Sequence, residues 1–256
     1  MKTNRLASGS DCAMRGACFD EKELLPMKAI VFDAGPIISL TTNNLLFLLR
    51  DLKKRYKGRF YIPAAVRKEL VDKPLETNRY KFEALQVMAM IEEGVLEIIH
   101  SEEIHKKAIK MLNLANSCFL AKGQPLKIIQ FGEAEGMAAA LSLNADAYVV
   151  DERTNRLLIE NPDSLVHLWE HKLNTQIVVE KDNLKEFRKM TSSIRSLRSV
   201  ELVACAYENH LLDRYLVKIK NPRHMLLEGM LWGLKMNGCA ISRREIEQIV
   251  KIELKK

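Results

Sequence analysis

Several things are scarce in this chain of 256 residues, and each scarcity excludes a class of protein. Apolar runs are short: stretches such as Leu45–Leu49 and Met137–Leu141 are far below the length that spans a bilayer, so no membrane association is expected. Residues 1–26 carry Lys2, Arg5 and Arg15 but no apolar core, which excludes a secretory signal. The five cysteines (Cys12, Cys18, Cys118, Cys205, Cys239) are odd in number, scattered and free of any Cys-x-x-Cys pair. That pattern argues against a disulfide framework or a thiolate zinc site and for a reduced, cytoplasmic protein. Aromatic residues make up only 6%, too few for a fold built on rows of stacking rings. There is no G-x-x-x-x-G-K-[ST], no G-x-G-x-x-G and no serine nucleophile elbow, so nucleotide triphosphates, dinucleotides and triad hydrolysis have no support.

Net charge is also absent from most of the chain. The total is +7, from 40 Lys and Arg against 33 Asp and Glu. Residues 181–256 hold 16 basic and 9 acidic side chains, and residues 1–180 hold 24 of each. The basic character belongs entirely to the tail, where it hints at a polyanionic partner.

What is present is an alternation of short β-rich runs with helical patterns. Strands are expected at Ala29–Phe32, Arg59–Ile62, Val95–Ile99, Ala147–Val150 and Gln176–Val179. Helices are expected near 36–54, 63–73, 77–93, 102–119, 132–144 and 164–172. Runs such as Ala-Ile-Val-Phe suit strands covered on both faces. The expected fold is therefore a three-layer α/β/α sandwich around a central parallel sheet. After Glu180 the pattern becomes helical, at 182–190, 199–217, 222–236 and 242–253, with no further strand expected. The chain divides on this reading into a leader, 1–26, disordered or preceding a natural start at Met27; a sheet domain, 27–180; and a basic helical extension, 181–256.

Two of the strands end in a carboxylate, at Val31-Phe32-Asp33 and Val149-Val150-Asp151. In open α/β sheets, ligands bind outside the carboxyl ends of the strands, so both acids would face one crevice if their strands are neighbours. Helix capping explains either Asp alone. Glu69, on a helix following the second strand, and Glu133, in the first turn of a later helix, add two more acids at the same end. A helix dipole would account for Glu133 or Glu135 singly, but not for four acids converging. Carboxylates gathered in this way repel unless cations bind, and oxygen-only ligands favour Mg2+ or Mn2+ over zinc. Two such ions about 4 Å apart can activate a water and stabilise the leaving oxygen of a phosphodiester.

The segments Asp33-Ala-Gly-Pro-Ile-Ile-Ser-Leu, Ile62-Pro-x-x-Val-x-x-Glu69-Leu, Gly132-Glu133-Ala-Glu-Gly-Met-Ala and Val149-Val-Asp151-Glu-Arg together resemble the PIN-domain nucleases, from about Met27 to Glu180. The resemblance implies a metal-dependent ribonuclease, in RNA processing or as the toxin of a toxin–antitoxin pair. It makes Asp33, Glu69, Glu133 and Asp151 the catalytic and metal-binding quartet, with Glu135 and Glu152 as auxiliary acids. Gly35 stands where many family members carry Ser or Asn. Candidate RNA-binding cations are Arg153 and Arg156, just past Asp151, and Lys185, Arg188, Lys189, Arg195 and Arg198 in the tail. Expected partners are RNA, an antitoxin or a ribosomal or RNA-processing protein, and a second copy of the chain. The alternative, motivated by Gly35 and the basic tail, is a non-catalytic RNA- or ribosome-binding protein that keeps the fold.

Two other motifs carry less. Val31-Phe32-Asp33 resembles phosphatases of the haloacid dehalogenase type, but Gly35 occupies the place of their second Asp. His167-Leu168-Trp169-Glu170-His171 matches the H-x-x-E-H string of inverted zinc peptidases, and two unremarkable surface histidines are the better expectation.

Overall fold

The computed structural model describes residues 28–255. The expectations for residues 1–26 lie outside the described residues. The chain opens with β1 (Ala29–Phe32), α1 (Ala34–Thr42) and α2 (Leu48–Tyr56), then β2 (Arg59–Pro63). One helical rod follows, as α3 (Ala64–Arg67), a π-helical turn (Lys68–Asp72) and α4 (Lys73–Leu75). Next come α5 (Lys81–Glu92), β3 (Glu97–Ile99), α6 (Glu102–Ala115), and the short strands β4 (Phe119–Ala121) and β5 (Gln124–Pro125). Then follow α7 (Phe131–Ser142), β6 (Ala147–Val149), α8 (Arg153–Glu160), α9 (Pro162–Leu173) and β7 (Ile177–Val179). The last part holds α10 (Lys181–Thr191), β8 (Ser196–Leu197), α11 (Ser199–Glu208), a 3-10 turn (Asp213–Tyr215), α12 (Pro222–Met236) and α13 (Arg243–Glu253).

The central sheet is parallel, five-stranded and ordered β3-β2-β1-β6-β8. Alternation along β1 explains why it is covered twice. Ile30 and Phe32 pack into a core with side chains of α1, α2, α5, α11, α12 and α13, whereas Ala29 and Val31 pack into a second core with α6 to α10. The architecture is the expected α/β sandwich with C-terminal helices, and α11–α13 form part of one of its layers.

Several local expectations change; the helix expected over 199–217, for one, stops at Glu208 and is followed by the 3-10 turn. The strand at 177–179 lies outside the central sheet; β7 joins β4 and β5 in a small antiparallel sheet, with Val178 half exposed. The fifth central strand is β8, from the tail read as wholly helical. Two residues flanked by Arg195 and Arg198 carry too little apolar pattern to announce a strand, and pairing with β6 makes it one. The single helix expected over 36–54 is two, broken at Asn43 and Asn44, the latter left-handed at φ 57°. Further along, α12 matches its expected span and ends at Asn237-Gly238, and Ser242 and Glu245 form the expected capping box of α13.

Candidate active site

The strand order reverses at β1, whose two neighbours β2 and β6 are far apart in sequence. Such a switch point leaves a crevice beyond the strand ends, and Asp33 and Asp151 both stand there. The Asp33 amide donates to the Val149 carbonyl (2.9 Å), which fixes the two strand ends side by side. Asp33 is 8% exposed and stands at the N-cap of α1. Burial pushes its carboxyl up to about 7, with the charges of Glu69 and Asp151 acting in the same sense against the amides of Ala34 and Gly35. Glu69 is exposed in the π-helical turn, near enough for its charge to act on Asp33.

Glu133 sits at the third position of α7 and accepts from the Gln130 amide (2.6 Å). Burial raises its carboxyl to about 8, reinforced by Glu152 and Asp33. Glu152 caps α8 through the Asn155 amide (3.2 Å) and lies within hydrogen-bond reach of Glu133. Below these acids is Tyr148, fully buried, its hydroxyl raised by burial and by Asp33, Glu133 and Glu152. Tyr148 fits because residue 136 is glycine: a Cβ there would come within 2.7 Å of the ring.

Asp151, 2% exposed, is held differently. Its Oδ1 accepts from the Ser199 amide (2.7 Å) and its Oδ2 from the Ser199 hydroxyl (2.7 Å), at the start of α11. The sequence offered no pointer to Ser199, 48 residues away. Glu135, read as an auxiliary acid, is 2% exposed, and its Oε2 accepts from the Ala65 amide (2.7 Å) at the N-terminus of α3. It secures the helix that carries Glu69.

Burial and mutual charge both oppose ionisation of Asp33 and Glu133, and an oxygen-only donor set of this kind suits a hard divalent cation. Each Asp151 oxygen accepts one bond from Ser199, and the buried Cys239 thiol also reaches this carboxylate. Among the described residues, no group of three or more His, Cys, Asp or Glu is arranged to hold a metal ion. The acids act on one another electrostatically without closing into a coordination shell. His167 and His171 are exposed, and Glu170 accepts from the Ile177 amide (3.3 Å). That is the surface reading of the H-x-x-E-H string.

The cations separate into two kinds. Arg198 is buried; its guanidinium meets Glu201 (2.6 Å), Glu245 (2.8 Å) and the Ala240 carbonyl (3.1 Å), so it is spent on the fold rather than offered to RNA. Arg195 lies at the start of β8, its carbonyl bonded to the Tyr148 amide, at the strand end remote from Asp151. Lys185 and Arg188 are exposed and, with Lys181, Asp163, Val179 and Leu184, line a groove of about 420 Å³. Lys189 is exposed on the same helix. Arg153 and Arg156 stand on the first turn of α8, directly after Glu152, and the Arg156 Nε is buried without a partner.

No described helix is long and apolar enough to cross a membrane. A family model described as a PIN domain matches residues 29–163. The comparisons with curated proteins and with solved structures gave no match. The matched span runs from β1 through α8 and holds all of the converging acids, so the chain belongs to the PIN-domain family, whose members are typically nucleases and generally bind divalent metals.

Proposed function

We propose that the protein is a Mg2+- or Mn2+-dependent endoribonuclease that hydrolyses RNA phosphodiester bonds at the crevice between β1 and β6. The observation that carries this reading is that buried Asp33 and Asp151 end adjacent strands, with Glu69, Glu133 and Glu152 near enough for their charges to act on Asp33 or on one another. Buried carboxyls whose ionisation is opposed, with exposed acids beside them, are a place for a divalent cation. Asp33 and Glu133 would hold it from the inside, with Glu69, Glu152 and Asp151 around them. A bound ion supplies Lewis-acid polarisation of the phosphodiester and a water acidic enough to attack at neutral pH.

The chain's own residues orient that chemistry. The Ala34 and Gly35 amides steer the Asp33 carboxylate, and the Gln130 amide steers Glu133. Arg153 and Arg156, on the first turn of α8 directly after Glu152, would offer positive charge to the phosphate. Lys185, Arg188 and Lys189 would hold the strand farther out through salt-sensitive contacts. The test is cleavage of mixed RNA with Mn2+ by the wild type, Asp33→Asn and Asp151→Asn. Cleavage by the wild type alone is expected, and equal activity in all three would place the chemistry elsewhere.

Gly35, which leaves no side chain between Asp33 and Asp151, and the basic tail favour a second reading, an RNA-binding protein that keeps the fold without catalysis. Salt-dependent RNA binding indifferent to Mn2+ and to Asp33→Asn would select it. A small adjacent reading frame encoding a DNA-binding protein would mark the enzyme as a toxin with its antitoxin, and a solitary gene would favour RNA processing.

A further inference from the structure

We infer that Ser199, delivered by the C-terminal segment, is a positioning residue for Asp151, and that the tail serves the site through this hydroxyl and its amide. The assignment rests on reading Asp151 as a metal-holding carboxylate. Ser199 is wholly buried and donates to both oxygens of Asp151 at 2.7 Å each, once from its amide and once from its hydroxyl. Two donors on two oxygens fix the plane of a carboxylate as well as its distance, so the remaining lone pairs point in one set of directions.

The surrounding bonds hold Ser199 in place. The strand just before it, β8, pairs with β6, the strand that leads into Asp151. The preceding residue, Arg198, is clamped to Glu201 and Glu245, which ties the start of α11 to α13. The Ala240 amide donates to the Asp151 carbonyl (3.0 Å) from the loop before α13. The backbone and the side chain of Asp151 are thus both secured by residues beyond 198. On the opposite side of the crevice the first turn of α1 carries no hydroxyl: residue 35 is glycine, and a Cβ there would stand 3.6 Å from the Asp151 Cβ and 3.7 Å from the Asp33 Oδ2. The Ser199 hydroxyl, from α11, therefore orients Asp151 where the first turn of α1 has no hydroxyl to do so.

Mn2+ binding by calorimetry, alongside steady-state RNA cleavage, tests the assignment in the full chain. Ser199→Ala should weaken Mn2+ binding on the order of 10- to 100-fold, the usual consequence of removing the partner of a metal ligand. It should lower kcat while leaving KM for RNA unchanged. Ser199→Cys keeps the volume with a much weaker donor, and should show the same loss if the alanine variant does not fold. Val203→Ala removes packing from the same helix without touching Asp151; it should lower the melting temperature and leave the Mn2+ affinity as it was. Ser199 variants with wild-type Mn2+ affinity, or a Val203→Ala loss as large as theirs, would overturn the positioning role alone. A wild-type protein that binds no Mn2+ would overturn the metal reading on which it rests.

Discussion

Asp33 and Asp151 end adjacent parallel strands, and both are buried, at 8% and 2% exposure, yet the elements that cover them differ. Asp33 lies at the N-cap of α1, where the Ala34 and Gly35 amides only partly offset burial and the charges of Glu69 and Asp151, and it acts in turn on Glu133. Asp151 has a donor on each oxygen, both from a residue nearly fifty positions later. One half of the crevice is thus left electrostatically unsatisfied and the other is anchored. The unsatisfied half is where a cation gains most, and the anchored half gives it a fixed edge.

Substituting the two aspartates in turn breaks this comparison most sharply. Either Asn variant should lower RNA cleavage on the order of 10²- to 10³-fold, the usual cost of losing one electrostatic element of an active site. Their metal-free stabilities should move in opposite directions. The folded-state carboxyl of Asp33, at about 7, lies above its ordinary 3.8, so the folded protein holds its proton more tightly than the unfolded chain does. Its contribution is fully present below about 4 and is lost as pH rises through 7. Asp33→Asn should therefore be more stable than the wild type at pH 8 by up to a few kcal/mol, with a flatter pH profile. Asp151→Asn should be less stable by about 1 kcal/mol, because charge-assisted bonds to Ser199 become neutral ones. Thermal melts in EDTA across pH 5 to 8 check both signs.

The tail cations invite the same kind of contrast. Arg198→Gln strands Glu201 and Glu245 and should cost about 3 kcal/mol by chemical denaturation, toward the lower end for a buried pair because both glutamates are partly exposed. Gly136→Ala drives a methyl into the buried Tyr148 ring and should cost about 1–3 kcal/mol. Lys185→Gln and Arg188→Gln, on an exposed face, should stay within about 0.5 kcal/mol. Each should instead reduce the salt dependence of RNA binding by about one unit of slope. A large stability loss at Lys185 together with a silent Arg198 would reverse the division between the two kinds of cation.

Much of the site's frame was legible in the sequence. β1 was read to the residue, and β2 and β6 to within one, because Ala-Ile-Val-Phe and Ala-Tyr-Val-Val are compact apolar runs closed by an acid. The same contrast of apolar run and terminal carboxylate marked Asp33 and Asp151. Glu135 carried the same signal as Glu133, and two residues of helix rotation separate the carboxyl beside Asp33 and Glu152 from the one on the Ala65 amide. Long-range pairing was not legible. β8 is two residues long and exists by pairing with β6, and Ser199 reaches Asp151 because of that pairing. The helix α8 went unread because Arg153-Thr154-Asn155-Arg156 looks like a loop, although its N-cap, Glu152, accepts from the Asn155 amide. The sharp charge boundary at 180 likewise suggested two separate parts, whereas residues on both sides of it contribute strands to one sheet.

The most direct test of the account is a crystal soaked in Mn2+ and measured at the manganese edge. The account predicts an anomalous peak between Asp33 and Glu133, within coordination distance of Asp151 or Glu152, and its loss in Asp33→Asn. A fully soaked crystal with no peak at these acids, in a protein that still cleaves RNA, would contradict it.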